Sequence, residues 1–308
     1  MNGFAAKRLT YVSLFSYYIF KYINYMKSLR ESLLDNDLIN KTDEYIKDEI
    51  KAFLIENYKG LMKISRNPNA DGEYEVSSSS NIGVKNKNIT SLTNGVFIWT
   101  AVNGSFEVLD CKSLKSLEGA PKEVGEDFYC SSCDSLTSLK GAPEKVGGDF
   151  YCDYNKSLKS LDGAPKEVGG DFDCSGCESL ESLEGAPKEI IKDFKCANCQ
   201  SLKILKGVPE KVGGGFNCSF CGSLKSLDGA PKEVGGDFHC YGCKSLKSLD
   251  GAPKVVNGNF DCSDCPSLNT LEGAPKEVGG NFNCLNCKIL FTKNDIKKVS
   301  NVKKDIIC

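Results

Sequence analysis

The stretch Ser157–Glu178 reads S-L-K-S-L-D-G-A-P-K-E-V-G-G-D-F-D-C-S-G-C-E, and close copies of it recur about eight times with a period of 22 residues. A unit this short cannot bury its own apolar face, so neighbouring units must stack and share a continuous core. The sequence therefore predicts a solenoid in which each 22-residue unit forms one turn, called a rung below.

Two series of cysteines keep this period, except that Asn155 stands where the second series lacks a member. Within a rung, Phe-x-Cys alternates with period two, which directs Phe and Cys to the core side of a short strand and the residue between them outward. The first series is Cys130, Cys152, Cys174, Cys196, Cys218, Cys240, Cys262 and Cys284, and the second is Cys111, Cys133, Cys177, Cys199, Cys221, Cys243, Cys265 and Cys287.

The rest of each rung predicts how the chain travels between strands. Gly169-Gly170 supplies a bend into the strand, and Gly163-Ala164-Pro165 fixes an extended return segment that cannot be a helix. We therefore expect irregular or polyproline-like return segments without helices. Short parallel strands are expected near residues 127–131, 149–153, 171–175, 193–197, 215–219, 237–241, 259–263 and 281–285.

The pattern L-x-L-x-x-N/C-x-x-L with a Pro-containing return, over roughly residues 80–291, resembles a leucine-rich repeat, with Cys in most rungs where Asn is commoner. The repeats and the segment Met26–Leu33 are also similar to those of uncharacterised bacteriophage proteins, notably from gut phages of the crAss-like kind. The resemblance implies a leucine-rich-repeat solenoid with a short parallel β-sheet on the concave face, non-helical Pro/Gly return segments on the convex face and helical caps at both ends. It implies a scaffold rather than an activity.

Five segments follow from these patterns. We expect a dispensable or disordered extension in 1–25, an N-terminal helical cap in 26–64, a connector in 65–80, the solenoid in 81–291 and a C-terminal cap in 292–308. Within the N-terminal cap, helices are expected over 26–34 and 42–58. Thr292-Lys293-Asn294-Asp295 reads as a capping box that begins a helix carrying Ile296, Val299 and Val302.

The cysteines allow three chemical readings. Cys174, Cys177, Cys196 and Cys199 fall within the spacing of a structural zinc site, and cysteines on adjacent rungs would be close enough for disulfides. The repeat itself generates both spacings, however, and Asn155 can replace a buried thiol but not a zinc-bound thiolate. We therefore expect buried, free thiols, with a metal or iron–sulfur site and disulfides as the alternatives.

Composition and motifs limit the classes of function. The chain has 308 residues, 40% hydrophobic and 26% charged, with a formal net charge of −2, which is typical of a globular protein and not of a polybasic nucleic-acid binder. It contains no nucleophile elbow, phosphate loop or His-Glu zinc motif, and its single histidine is His239. We expect no enzymatic activity, no cofactor and no nucleic-acid partner.

A targeting segment is not evident. The apolar stretch from Leu9 to Phe20 resembles a signal-peptide core, but no small-residue cleavage site follows it, and twelve residues are too few to span a bilayer. We expect no membrane association and a cytoplasmic location, namely the bacterial host cytoplasm for a phage-encoded protein.

The repeats serve as an internal alignment that separates core from candidate site. Core positions barely change between rungs, whereas the outward position after Phe and the position after the first Cys vary. A varied surface of aromatic and polar residues suits protein recognition. The candidate partner-binding residues are Tyr129, Tyr151, Asp173, Lys195, Asn217, His239, Tyr241 and Asp261.

The leading prediction is a non-enzymatic protein-binding module that acts on a host or phage protein through its concave face. A structural component of a viral particle or assembly is one alternative, and a metal-binding or redox cysteine array is another. The position before Phe is mostly Asp, and two interpretations of these aspartates stay open. They form a site for a basic partner or a cation, or their carboxylates accept hydrogen bonds from turn amides such as those of Gly-Gly in their own or the neighbouring rung. The oligomeric state stays open.

Overall fold

The structure is a computed structural model, and it describes residues 36–66, 73–93 and 95–308, with side chains from residue 43 onward. The predicted extension 1–25 and the helix expected over 26–34 lie outside the described residues. Within the described part, the chain forms a parallel β-solenoid with a 22-residue repeat and two helices.

The largest sheet, called the first sheet, contains the predicted Phe-x-Cys strands. Each rung contributes a two-residue strand that pairs in register with its counterpart 22 residues away, so that Phe150 lies opposite Phe128 and Phe172. All pairings in it are parallel except the antiparallel one between Tyr58–Lys59 and Ile82–Val84. In spatial order, its described strands are β1 (Tyr58–Lys59), β4 (Ile82–Val84), β6 (Phe106–Glu107), β8 (Phe128–Tyr129), β10 (Phe150–Tyr151), β12 (Phe172–Asp173), β13 (Phe194–Lys195), β15 (Phe216–Asn217), β17 (Phe238–His239), β19 (Phe260–Asp261), β21 (Phe282–Asn283) and β23 (Ile306–Ile307).

The return segments also carry strands, which corrects the expectation of irregular or polyproline-like chain. They lie just before the Gly-Gly bend and form two further sheets. The second sheet contains β2 (Lys63–Arg66), β3 (Tyr74–Ser78), β5 (Phe97–Val102), β7 (Glu123–Val124), β9 (Lys145–Val146) and β11 (Glu167–Val168), and the third contains β14 (Lys211–Val212), β16 (Glu233–Val234), β18 (Val255–Val256), β20 (Glu277–Val278) and β22 (Asn301–Val302). The prediction that the return segments contain no helix agrees with the rungs described.

One irregular rung separates the second sheet from the third. Here Ile190-Ile191-Lys192 replaces Val-Gly-Gly, and the return segment of this rung forms an isolated bridge from Ile190 to Val212 in place of a strand. A Cβ built on Gly169, the equivalent of Ile191, would lie 2.1 Å from the carbonyl oxygen of Gly147 in the preceding rung. The break between the second and third sheets therefore coincides with Ile191, whereas Asn257 at the equivalent position of a later rung is accommodated within the third sheet.

The core is a set of columns that run along the coil. Phe rings from Phe106 to Phe260 stack with neighbouring centroids 5.2–5.9 Å apart, and each rung adds a Val or Ile, two Leu and the cysteines. Burial of these side chains supplies the main driving force for stacking the rungs.

The helix α1 (Asn36–Asn57) packs against the first rungs. Ile50 and Leu54 lie on one face and are buried, and the ring of Phe53 lies 5.9 Å from that of Phe97. Trp99 and Tyr58 are buried behind the helix, with ring centroids 5.3 Å apart. The segment 65–80, expected to be a connector, contains the end of β2 and the whole of β3.

The helix α2 (Lys293–Val299) begins as the capping box predicts. Thr292 is its N-cap: the Asp295 N–H donates to Oγ1 of Thr292, and the Asp295 carboxylate accepts from the Thr292 N–H. Ile296 is buried, but the helix ends at Val299, so the expectation that it also carries Val302 was wrong. Val302 lies in β22 because residues 301–308 return to the strand–bend–strand path of a rung.

Candidate protein-binding face

The first sheet turns one side to the core and the other outward, and the outward side is called the outer face. It consists of three rows, which are the residue before each Phe, the residue after it and the residue after the first Cys. In-register pairing places equivalent residues of adjacent rungs side by side. All eight predicted binding residues lie partly exposed on this face: Tyr241 lies in the third row, and Tyr129, Tyr151, Asp173, Lys195, Asn217, His239 and Asp261 form a single line in the second.

The first row, called the aspartate row, holds the rungs together. Oδ1 of Asp127 accepts the backbone N–H of Asp149 at 2.8 Å, and Oδ1 of Asp149 accepts that of Asp171 at 2.7 Å. Asn259 and Asn281 continue the same bond toward the other end, and Gly215 interrupts the row. Thus the carboxylates do bond backbone amides of the neighbouring rung, but those amides belong to the equivalent residue of the next rung, before its Phe, and not to the Gly-Gly bend.

The second carboxylate oxygen of the aspartate row orients the candidate binding residues. The Tyr129 hydroxyl donates to Oδ2 of Asp127 at 3.0 Å, and the Tyr151 hydroxyl donates to Oδ2 of Asp149 at 2.9 Å. Partial burial, followed by the bond to Asp127, raises the pKa of Tyr129 to about 12. Both hydroxyls are therefore protonated donors at neutral pH, and their rings are held in fixed positions.

Lys195 lies two rungs beyond Tyr151 and reaches back to the aspartate of the preceding rung. Its Nζ donates to Oδ2 of Asp171 at 2.7 Å and lies 3.7 Å from Oδ2 of Asp193. Partial burial would raise the pKa of Asp171, but the hydrogen bonds from Lys195 and from the Asp193 amide outweigh it and lower the pKa. Asp171 is therefore ionised at neutral pH.

Aromatic side chains gather at two places on the outer face. The rings of Tyr129 and Tyr151 stack 4.9 Å apart with an interplanar angle of 6°. Farther along the coil, the Tyr241 ring meets His239 at 6.0 Å and Phe220 at 5.0 Å, both edge to face. The structure thus brings the predicted residues together as two aromatic groups, with Asp173, Lys195 and Asn217 in the row between them.

Sequence reasoning missed two aromatic residues beside this face, Tyr154 and Phe220. They occupy the second position after the first Cys, where the backbone of every rung from 110 to 286 has a positive φ. Tyr154 is 55% exposed and Phe220 is 48% exposed. The internal alignment held the signal, because the other rungs carry only Asp, Ser, Gly or Asn at this position.

The outer face is strongly acidic. In the eight regular rungs, the three rows contain eight aspartates against one lysine, whereas the whole chain has a formal net charge of only −2. The excess negative charge is therefore concentrated on this face, and the rest of the chain is net positive. A field of this sign attracts cationic groups and repels nucleic acid.

The second cysteine series forms a ladder of weak hydrogen bonds inside the coil. The thiol of Cys177 donates to the carbonyl of Cys152 at 3.2 Å, and that of Cys199 donates to the carbonyl of Cys174 at 3.3 Å. Asn155 makes the equivalent bond to the Cys130 carbonyl at 2.8 Å. It adds a bond to the Cys152 carbonyl at 2.9 Å and accepts the Cys133 N–H at 2.7 Å. The shared position explains why one asparagine can stand among cysteines.

Apart from Cys111 and Cys287, whose pKa is lowered by a hydrogen bond with a neighbouring thiol, the thiols of both series are poorly suited to redox or metal chemistry. Burial raises the pKa of the Cys174 and Cys196 thiols well above their ordinary value, so the reactive thiolate is disfavoured. Among the described residues, all cysteines are free, and no three His, Cys, Asp or Glu side chains are arranged to hold a metal ion. Cys308 is exposed.

Comparison with known proteins adds no family assignment. No protein-family model, curated protein or solved structure matched this chain. Within the part of the chain that the structure describes, no helix has the length and apolar character needed to cross a membrane.

Proposed function

We propose that this chain is a non-enzymatic protein-binding module of the leucine-rich-repeat type, and that its outer face is the concave binding surface. The observation that carries the proposal is the contrast between rungs that are uniform inside and varied on the outer face. Aromatic residues there are held in place by the aspartate row, and rigid, partly exposed tyrosines are typical of interface centres.

The proposal extends to the source of the protein and its partner. The resemblance of the repeats to gut-phage proteins supports a phage-encoded factor that acts on a host or phage protein in the bacterial cytoplasm. The lone histidine supports a non-enzymatic role, since His239 packs against the Tyr241 ring and lies 3.7 Å from Asp237, and neither is a serine or cysteine nucleophile that a histidine could activate.

Affinity capture of the full chain from expressing or infected cells, with cross-links mapped by mass spectrometry, tests the proposal. We expect the partner to cross-link to the outer face. Replacing Tyr129 and Tyr151 by Ala should weaken binding by about 1–2 kcal/mol each, or roughly 5–30-fold.

A matched control lies on the return segments. Lys166 and Lys232 are exposed there and pair with Glu144 and Glu210 at 3.0 and 2.6 Å. Their replacement by Ala should leave binding unchanged. Loss of binding in the lysine variants but not in the tyrosine variants would place the interface on the return side and reject the proposal. Stable self-association without a second protein would instead favour a structural component.

A further inference from the structure

Tyr154 and Phe220 adopt a backbone conformation that bulky side chains rarely adopt. Their φ angles are 55° and 59°, in the left-handed region. The fold imposes this conformation on every rung, because the equivalent residues from Asp110 to Asn286 have φ between 54° and 70°. Elsewhere the chain uses Asp, Ser, Asn or Gly, which tolerate this region better, so the two aromatic residues carry a conformational strain that the other rungs avoid.

The neighbouring rungs are adapted to the two rings. A Cβ built on Gly176 would lie 2.6 Å from Cδ1 of Tyr154, and one built on Gly242 would lie 2.5 Å from Cδ1 of Phe220. Both glycines stand at the same position of the next rung, and they are the only glycines there in the regular rungs. Each ring therefore rests on the backbone of the following rung, in a place that any other residue would obstruct.

Core packing does not account for this arrangement, because about half of each side chain remains exposed. Strain that persists without burial is characteristic of functional positions. The two rings are three rungs apart, which corresponds to about 14–15 Å along the coil at the usual strand spacing. Phe220 also contacts Tyr241, so it is continuous with the aromatic group on the outer face.

The surroundings indicate the charge of the occupant. Asp153 and Asp173 lie on the outer face beside Tyr154, and Asp173 lies in the row between the two rings. The outer face bears eight aspartates and one lysine in its regular rungs. A second copy of this chain docking face to face would bring like charges together, and nucleic acid would be repelled.

We infer that Tyr154 and Phe220 are preorganised anchors for a basic polypeptide. This polypeptide places apolar side chains on the two rings and Lys or Arg side chains against the aspartates that lie between the rings. This inference rests on the proposed protein-binding function and specifies the chemistry of the partner. Rings already fixed on glycine lose little conformational entropy on binding, which favours affinity.

The first test is stability, and it needs no partner. Tyr154→Asn and Phe220→Asn install a residue that other rungs use at this position, so we expect Tm to stay equal or to rise by about 2–4 °C per change. Asn198→Tyr is the matched control: it adds a ring where the next rung carries Phe220 in place of glycine, and its Tm should fall. A drop in Tm for Tyr154→Asn and Phe220→Asn would show that the rings are structural and overturn the inference.

The second test is selection of displayed random 16-residue peptides by the full chain. Selected peptides should carry net positive charge and apolar residues, and the Tyr154→Asn/Phe220→Asn double variant should bind them at least tenfold more weakly. Asp173→Asn should also weaken binding at low salt. This change preserves the fold, because Asn217 makes the same bond to the backbone two residues on that Asp173 makes.

The outcomes separate this inference from the proposed function. Selection of neutral or acidic peptides, or binding that the double variant retains within twofold, would overturn the inference. The proposed function would stand in that case if the Tyr129 and Tyr151 changes still weakened binding of a folded partner. Failure of the wild-type chain to select any peptide would also reject the inference, and capture of the folded partner would then decide the proposed function.

Discussion

Replacement by asparagine of either of two cysteines in the same rung should affect stability very differently. Cys196 and Cys199 are three residues apart and both fully buried. At position 199, an asparagine can repeat the bonds of Asn155, donating to the carbonyls of Cys174 and Cys196 and accepting the N–H of Cys177. We expect Cys199→Asn to change the free energy of unfolding by no more than about 1 kcal/mol, because three bonds of about 0.5–1.5 kcal/mol each offset burial of the amide.

Position 196 lies in the apolar column instead. The Cys196 thiol belongs to the hydrophobic core formed with the Phe and Leu side chains. The hydrogen bonds that Asn155 makes are available at positions of the second cysteine series, to which Cys196 does not belong. An amide buried there without partners costs about 1–3 kcal/mol for each unsatisfied group, so Cys196→Asn should destabilise the protein by about 3 kcal/mol or more. The difference between the two variants should therefore be at least about 2 kcal/mol.

Guanidinium unfolding under reducing conditions, followed by circular dichroism, measures this difference. Hydrogen exchange of the adjacent rungs should accompany it, because the single tryptophan, Trp99, reports only on the first rungs. Cys196→Ala and Cys199→Ala are the controls for loss of the thiol alone. Equal destabilisation by the two asparagine variants, or a larger loss at position 199, would refute the assignment of one series to the core and the other to a hydrogen-bonded ladder.

Three further predictions concern the thiols and the ends of the chain. Burial raises the pKa of Cys199 from the ordinary value of 9.0 to about 12, so the stability that its neutral thiol contributes is full below pH 9 and declines between pH 9 and 12. The fall of Tm over that range should be smaller in Cys199→Ala than in the wild-type chain. An equal fall in the two proteins would contradict a contribution from the Cys199 thiol. Thr292→Ala removes the capping box of α2 and should cost about 1 kcal/mol in urea unfolding, with Thr292→Ser retaining most of it. Deletion of residues 1–25 should leave Tm unchanged, and a marked fall would show that this segment is not dispensable.

The repeat predicted the main architecture because its period fixes which residues stack. Phe and Cys on alternate positions identified the strands of the first sheet, and the 22-residue phase set their register. The strands before the Gly-Gly bend escaped prediction. A two-residue strand between proline and glycine has no periodicity of its own, and its hydrogen bonds come only from the rungs on either side.

The candidate site was predicted in part. Variation between rungs placed Tyr129, Tyr151 and their neighbours on the outer face, but it did not show that their hydroxyls bond the aspartate row. Tyr154 and Phe220 were missed because their importance lies in a positive φ and a glycine one rung away, and neither is apparent within a single repeat.

The sequence by itself determined the period, the inward and outward positions and the equivalence of Asn155 with a cysteine, since each depends only on residue type and spacing along the chain. The tertiary structure decided which oxygen meets which amide between rungs, at which rung the second sheet ends and the third begins, and how the aromatic side chains come together. These features depend on contacts between residues 20 or more positions apart, whose geometry is set only when the rungs stack.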